Sequence, residues 1–447
     1  MTKTSPSNFA QDVTVLLDRF YATTIAHREV AAFVKSSLQP RGGIEEVFAQ
    51  IAFDRFPKIE HQVHLRVASV FHQKVHEHID QRALEKQGEP TEDGWRVKWE
   101  QDLSEKIEAI TKTHSLTNFY KGVWRESQSQ GRRAPIVRSS LLMGVVSDFE
   151  MLVAGLIRLN LSNSENLLKQ SEKSLTWKQM SEFDSLRDIR IQLSDEYVSN
   201  VMRGGLDAWM NWFNKKLNLV VDGVTTEADE LLEIFQRRHL LVHNGGVVNR
   251  QYMDKLGFRD GVQIGDKVGV SHKYLSAAIE SLTSAGVKLA LSNLAKLGSK
   301  DDNTYVEHQI TRYCYNALKM REWDVVINIC EWSLARMKSD DHKLPIQVNL
   351  WLAKKLRDGL TAIKADVESW PVSTRSKVYQ LAKLALLDQH GDAYALACNL
   401  IDAGDLTLQE WHDWPLLEDV RAFEVDHVPE NEWMPTLELD YVSNHMH

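Results

Sequence analysis

The sequence predicts an all-α protein of two or three helical domains, and three observations carry that prediction. Gly and Pro number only 22 and 10 in 447 residues, so the residues that interrupt helices are sparse. Apolar side chains recur at three- and four-residue spacing, as in Val13, Leu16, Leu17, Phe20 and Tyr21. The length exceeds what one ordinary core accommodates.

The elements divide into three regions. In residues 1–130 a first helix is followed by a second helical stretch over 44–83 and a polar, turn-rich piece at Lys86–Gly94. The polar run from Ser127 to Arg133 reads as a linker. In residues 131–298, a strongly apolar helix is expected over 136–160, with more polar helices over 177–194 and 200–216. The helix containing Leu231–His243 stops at Gly245-Gly246, the usual residue type just past a last turn. Weak alternation over 262–270 suggests a small hairpin, and a helix closes the region over 272–297.

In residues 299–447, paired helices are expected over 304–320, 322–337, 345–364, 373–389, 391–403 and 407–413. Small residues at packing points (Ala335, Ala395, Ala397) suit a helical solenoid, with a plain bundle as the alternative. This region loosely resembles tetratricopeptide-type repeats. Six tryptophans, Trp323, Trp332, Trp351, Trp370, Trp411 and Trp414, crowd it. Their helical spacing favours packing inside the array over an aromatic platform for a peptide or for bases.

Composition narrows the function. Hydrophobic and charged residues at 43% and 26% match a soluble globular chain. A net charge of −9 opposes a role in coating nucleic acid, which calls for a basic excess. Any contact with RNA is therefore expected to be small and local, or supplied by an assembly. Cys314, Cys330 and Cys398 are widely spaced and odd in number, without disulfide or zinc-knuckle spacing, which suits a reducing cytoplasm. The N-terminal residues lack an apolar signal core. No run of about 18 apolar residues stands out, so no membrane span is expected. Gly42-Gly43 and Gly204-Gly205 lack the continuation of a phosphate loop, and neither a nucleophile elbow nor a Cys–His pair occurs. No cofactor is expected.

One constellation stands out. On a helical wheel, Leu231, Ile234, Phe235, Leu241 and Val242 share a face, and Arg238 sits in its middle. A guanidinium there costs free energy unless an anion meets it, whether a protein carboxylate or a phosphate. His243 follows in the last turn, rotated by about 140°. The negative end of the helix dipole favours its charged form and a proton affinity suited to exchange near neutral pH. Asn244 supplies an amide donor next to it.

The stretch from Arg238 to Tyr252, RHLLVHNGGVVNRQY, resembles the signature of HEPN domains, an R-x(4–6)-H motif at a helix end followed by glycine, a turn and a tyrosine. The upstream helix with Glu150 and the downstream IGDKVGVSHKYLSAAIESL resemble the first long helix and the closing segment of a bacterial branch. The resemblance covers residues 131–298; Asn249 departs from the aspartate of the pattern and is read as a cap or turn variant. It implies a four- or five-helix bundle that usually dimerises, with two motifs facing each other around one RNase site. Cleavage needs no metal and leaves a 2′,3′-cyclic phosphate.

In that chemistry His243 acts as general base or acid, Arg238 neutralises charge on the phosphate, and Asn244 orients His243 or donates to phosphate. His239 is a lesser candidate, and Glu150 or Asp148 is expected to hold Arg238 in place. The implied role is a toxin or an effector of bacterial antiviral defence that acts by abortive infection. The flanking helical regions would hold it inactive until a protein trigger arrives or an inhibitor leaves. The alternative is a catalytically silent HEPN scaffold for dimerisation or RNA binding, or an antitoxin-type adaptor. A second cluster, His61, His64, His72, His76 and His78, places His72 and His76 one turn apart. Without an H-E-x-x-H pattern, a solvated helix face is favoured over a metal site.

Overall fold

The computed structural model describes residues 6–38, 43–87, 95–113, 116–164, 166–167, 180–221, 224, 228–257, 261–299, 302–337, 340–372, 375–429 and 434. Among these the protein is all-α. In chain order the helices are α1 (Asn8–Phe33), α2 (Ile44–Arg55), α3 (His61–Gln87), α4 (Trp95–Thr111), α5 (Thr117–Asn163), α6 (Leu186–Met202), α7 (Gly205–Leu217), α8 (Ala228–His243), α9 (Arg250–Leu256) and α10 (His272–Leu297). The C-terminal series is α11 (Asp302–Lys319), α12 (Trp323–Leu334), α13 (Asp340–Asp358), α14 (Lys364–Ser369), α15 (Lys377–Leu386), α16 (His390–Asp402), α17 (Leu408–Asp413) and α18 (Glu418–His427). The only β-pairing among the described residues is an isolated antiparallel bridge, Val247 to Lys267.

Two expectations are corrected. The linker at Ser127–Arg133 is helical and lies inside α5. Tyr120, Val123, Trp124, Ala134 and Leu142 are all buried at helical spacing, and this carries the polar turns between them. Ser127 is itself fully buried, its hydroxyl donating to the Trp124 carbonyl at 2.8 Å. Pro135 is accommodated within the helix. The hairpin over 262–270 does not form. Residues 265–268 pair instead with 246–248, across the end of α8.

A third correction concerns length. α5 is long and apolar enough to cross a membrane, although 50% of its most apolar window is buried within the protein, as in a core helix. The turn-rich piece expected at Lys86–Gly94 lies outside the described residues from 88 onward, as does the start of the helix expected over 177–194.

The chain forms two compact units, both discontinuous in sequence. One comprises Met1–Tyr21, Phe149–Leu232 and Glu280–His447; the other comprises Ala22–Asp148 and Glu233–Ile279.

In the first unit, the middle of α1 packs Phe20 edge-on to Phe149 (6.0 Å) and Tyr21 edge-on to Tyr313 (5.3 Å). Gly286 lies so close to Phe20 that a β-carbon there would fall 2.3 Å from the ring. Asp302 is almost fully buried, and its carboxylate accepts from the Ser7 amide (3.0 Å) and hydroxyl (2.8 Å) and from Ser299. The helices α11, α12 and α13 pack together in sequence order, as do α15, α16 and α18. Trp332, Trp351, Trp370 and Trp411 are buried among them. These four tryptophans serve the packing of this region, whereas Trp323 and Trp414 are only partly buried, and Cys314 and Cys330 are free buried thiols.

In the second unit, α2, α3, α4 and the start of α5 enclose Phe48, Phe71, Leu103, Ile107, Tyr120 and Trp124. Pro57, with no amide proton to donate, follows the end of α2 and separates it from α3. A smaller core of Leu240, Val248, Tyr252 and Met253 forms where α8 meets α9.

Candidate functional site

The site expected from sequence lies at the C-terminal end of α8. Two carbonyl-to-amide contacts shape that end. The Leu240 carbonyl accepts from the amides of Asn244 (2.8 Å) and Gly246 (3.0 Å). Gly245 and Gly246 both adopt positive φ, at 58° and 80°, a conformation favourable to glycine. At Gly246 glycine is required twice over, since a β-carbon would sit 2.6 Å from the Val268 carbonyl oxygen. The reversed chain is held by the Val268 amide to the Gly246 carbonyl (2.8 Å), Val248 to Asp266 (2.8 Å) and Gly265 to Val248 (2.9 Å). Asn249 then caps α9, its side-chain oxygen accepting from the Tyr252 amide at 2.9 Å. The departure from the aspartate pattern is thus a working N-cap.

Three of the expected residues, Arg238, His239 and His243, fall in the last turns of α8. Arg238 is half-buried. The stripe it centres is buried at Leu231, Ile234 and Phe235 but emerges at Val242, which is 48% exposed. His243 is exposed, and its ring centroid lies 4.6 Å from that of His239. Burial lowers the proton affinity of His239, and the neighbouring His243, Arg238 and Lys255 lower it further. His239 is therefore held as the neutral imidazole, able to accept a proton.

The other expected residues lie as follows. The Asn244 amide donates to the Val247 carbonyl and so closes the turn. Asp148 pairs with His27 at 2.8 Å. That ring lies over Gly144, where a β-carbon would come within 2.7 Å of it. Glu150 is half-buried on α5 and belongs to the first unit.

Next to Arg238 in sequence, Arg237 forms an ion pair with the buried carboxylate of Glu233. Glu233, 5% exposed, accepts from Arg237 (2.7 Å), Tyr252 (2.7 Å) and Tyr274 (2.6 Å). The Arg237 guanidinium lies 3.9 Å from the centre of the Tyr274 ring and donates to the Gly269 carbonyl at 3.0 Å. Desolvation disfavours the charge on Arg237, yet Tyr274 and Glu233 more than restore it, and the net shift is upward. Burial, with Glu233 as acceptor, pushes Tyr252 up to about 12 and Tyr274 higher still. All three donors stay protonated, so the carboxylate is fully met. This cluster fixes α8 against α9 and the start of α10. Its trace in the sequence was the four-residue spacing of Glu233 and Arg237; the two tyrosines carried no such signal.

The N-terminal histidines divide. His64 is fully buried between the Phe56 carbonyl (3.3 Å) and the Tyr120 hydroxyl (3.0 Å). His78 packs on Trp95 and Trp99. His72 contacts both Glu45 (3.0 Å) and His76 (3.1 Å) on a partly exposed face. The solvated face expected for the cluster thus holds at His72 and His76 but not at His64, which is fully buried.

Compared with family models, with curated proteins and with solved structures, the chain finds no match in any of the three.

Proposed function

We propose that this protein is a metal-independent endoribonuclease of HEPN type. The observation that carries the reading is the exposed imidazole of His243 at the end of α8, with Arg238 on the same helix and the His239 ring 4.6 Å away. In the proposed reaction His243 takes the proton of a ribose 2′-hydroxyl as the 2′-oxygen attacks phosphorus. The 5′-oxygen leaves and takes up a proton, and a 2′,3′-cyclic phosphate remains. Arg238 neutralises the charge that gathers on the phosphate oxygens.

A homodimer would bring two such helix ends together. Val242 and Val247, 48% and 36% exposed beside His243, supply apolar surface for that contact. The helical regions on either side would receive a protein trigger or inhibitor, as suits an effector of antiviral defence. One observation favours a silent scaffold as the second reading. The deepest charged groups of this segment, Glu233 and Arg237, serve packing.

The test is incubation of the purified protein with total bacterial RNA in EDTA, with Arg238→Ala and His243→Ala as controls. Cleavage that leaves cyclic phosphate ends and vanishes in both variants is the expected result. If neither concentration nor any tested trigger elicits such cutting, the scaffold reading replaces this one.

A further inference from the structure

In the first unit, the C-terminal helices α11, α13, α15 and α17 border a cavity of about 580 Å³. On its wall α13 carries Asn349, which is only 6% exposed. The Asn349 side-chain amide has no hydrogen-bond partner among the described residues, yet it is not sealed into the packing, so it opens on the cavity. A buried amide left unmet costs free energy, and this one stands where a molecule from outside the chain can meet it. Val348 and Leu406 are buried apolar neighbours on the same wall, and Tyr315, Tyr379 and Trp414 line the space half-buried. A few polar groups among apolar and aromatic side chains, in a volume between about 300 and 1,000 Å³, form the usual setting for a small ligand.

Charge selects the ligand. Asp405, Glu410 and Asp413 line the cavity, against Arg312 and His308. Arg312 is already paired with Asp18 and donates to the Tyr313 hydroxyl at 3.0 Å. Glu410 gives one oxygen to the Thr407 amide and hydroxyl (2.9 and 2.8 Å) in capping α17, and Asp413 accepts from the Gln409 amide. Neither contact removes a negative charge. Asp405 is exposed, and its carboxylate meets no partner among the described residues. The lining is therefore acidic, which opposes a phosphate or carboxylate ligand and favours a cation. The faces of the tyrosine and tryptophan rings attract an ammonium group further, and the Asn349 oxygen is an acceptor for the N–H that such a group carries.

We propose that this cavity binds a small aliphatic amine cation of the di- or polyamine class. Asn349 accepts from one ammonium group, and Asp405 and Glu410 balance the charge. The binding belongs to the C-terminal helices and stands whether or not the chain cleaves RNA.

The probe is spermidine, titrated by calorimetry into the full-length protein at about 50 and 200 mM salt, on either side of physiological screening. Saturation at one spermidine per chain is expected. Asn349→Leu keeps the side-chain volume and removes the amide. It is expected to bind about tenfold more weakly, as for loss of one hydrogen bond to a charged group. Asp405→Asn/Glu410→Gln is expected to weaken binding by about tenfold as well and to flatten its salt dependence, while the glutamine keeps the cap of α17. Melting curves check that both variants fold, and the second, on exposed positions, carries the test if the first does not. Heats that fit many weak sites, an affinity unchanged in both variants, or no binding at millimolar spermidine would overturn the proposal. Weakening in the charge variant with none in a folded Asn349→Leu would reduce the effect to surface attraction and overturn the cavity as its site. A lysine-containing peptide that saturates the wild type where spermidine does not would keep the ammonium chemistry and overturn the free amine as its source.

Discussion

The rings of His239 and His243 lie 4.6 Å apart at the end of α8, with their planes tilted by 48°. Two imidazoles this close disfavour being charged together. His239 carries the burden, because it is also the more buried and has Arg238 and Lys255 nearby. Its titration, followed by NMR of the ring protons, is expected below the ordinary value of 6.5. Arg238→Ala should move it upward by removing one of the opposing charges. A His239 that titrates at or above 6.5 in the folded protein would remove the basis for treating it as a neutral proton acceptor.

Glu233 is the point on which three donors converge, so its loss exposes three groups at once. Glu233→Ala would leave Arg237 buried without its anion and two tyrosine hydroxyls without their acceptor. Breaking a buried ion pair from one side typically costs about 3 to 5 kcal/mol. Tyr252→Phe removes a single donor and is expected to cost about 1 to 3 kcal/mol. Urea denaturation of the two variants should preserve that order. Equal, small losses would mean that the network is not what joins α8 to α9 and α10.

The paired glycines after α8 are not equivalent. Gly245→Ala meets open space and pays only for its φ of 58°, a cost of roughly 1 kcal/mol for a left-handed residue. Gly246→Ala combines a φ of 80° with a β-carbon 2.6 Å from a backbone oxygen, so the 246–248 and 265–268 segments must separate. A clearly larger loss of thermal stability is expected at Gly246. Faster hydrogen exchange at the Val248 and Val268 amides should accompany it, and parity between the two variants would show that this pairing does not hold the turn.

Much of the helical architecture was legible in the sequence because period and breakers agree over long stretches. The last helix of the middle region, expected over 272–297, is found as His272–Leu297. The Gly245-Gly246 stop lies where α8 ends. What misled was composition read locally. The polar run at 127–133 looked like a linker, but a helix 47 residues long carries such a run when buried residues flank it. At the site, the wheel picked out Arg238 but not the buried carboxylate of Glu233, on which Arg237 and two tyrosines converge. Burial on the opposite face, by Glu233 and Leu240, depends on α9 and on the 265–268 segment folding back. No periodicity within α8 encodes that contact.

Asn249 offers a test of the departure from the aspartate pattern. As the N-cap of α9 it satisfies the Tyr252 amide, and Tyr252 in turn donates to Glu233. Asn249→Ala is expected to cost about 1 kcal/mol through loss of the cap. Asn249→Asp should be neutral or slightly stabilising, because a carboxylate caps equally well and its charge favours the positive helix end. A clear destabilisation by aspartate would show that the amide has a further role at this position.

The buried His64 predicts how stability depends on pH. Its ring accepts no charge cheaply: burial lowers its proton affinity below the ordinary 6.5, although the Phe56 carbonyl opposes that shift. The arrangement fits one neutral tautomer, with Nε2–H donating to the Phe56 carbonyl and Nδ1 accepting from Tyr120. The Tyr120 hydroxyl, itself pushed up to about 12 by burial, stays a donor throughout. Protonating the ring turns Nδ1 into a second donor facing that hydroxyl. Because the folded value lies below the unfolded one, the stabilisation is complete above pH 6.5 and is lost as pH falls through the folded value. The melting temperature should therefore decline from about pH 7 to pH 5. His64→Gln keeps an amide donor and an acceptor but cannot titrate, so its melting temperature should fall less over the same range. If the two proteins decline in parallel, the acid sensitivity belongs to other groups, of which His239 and His272, both lowered chiefly by burial, are the next to test.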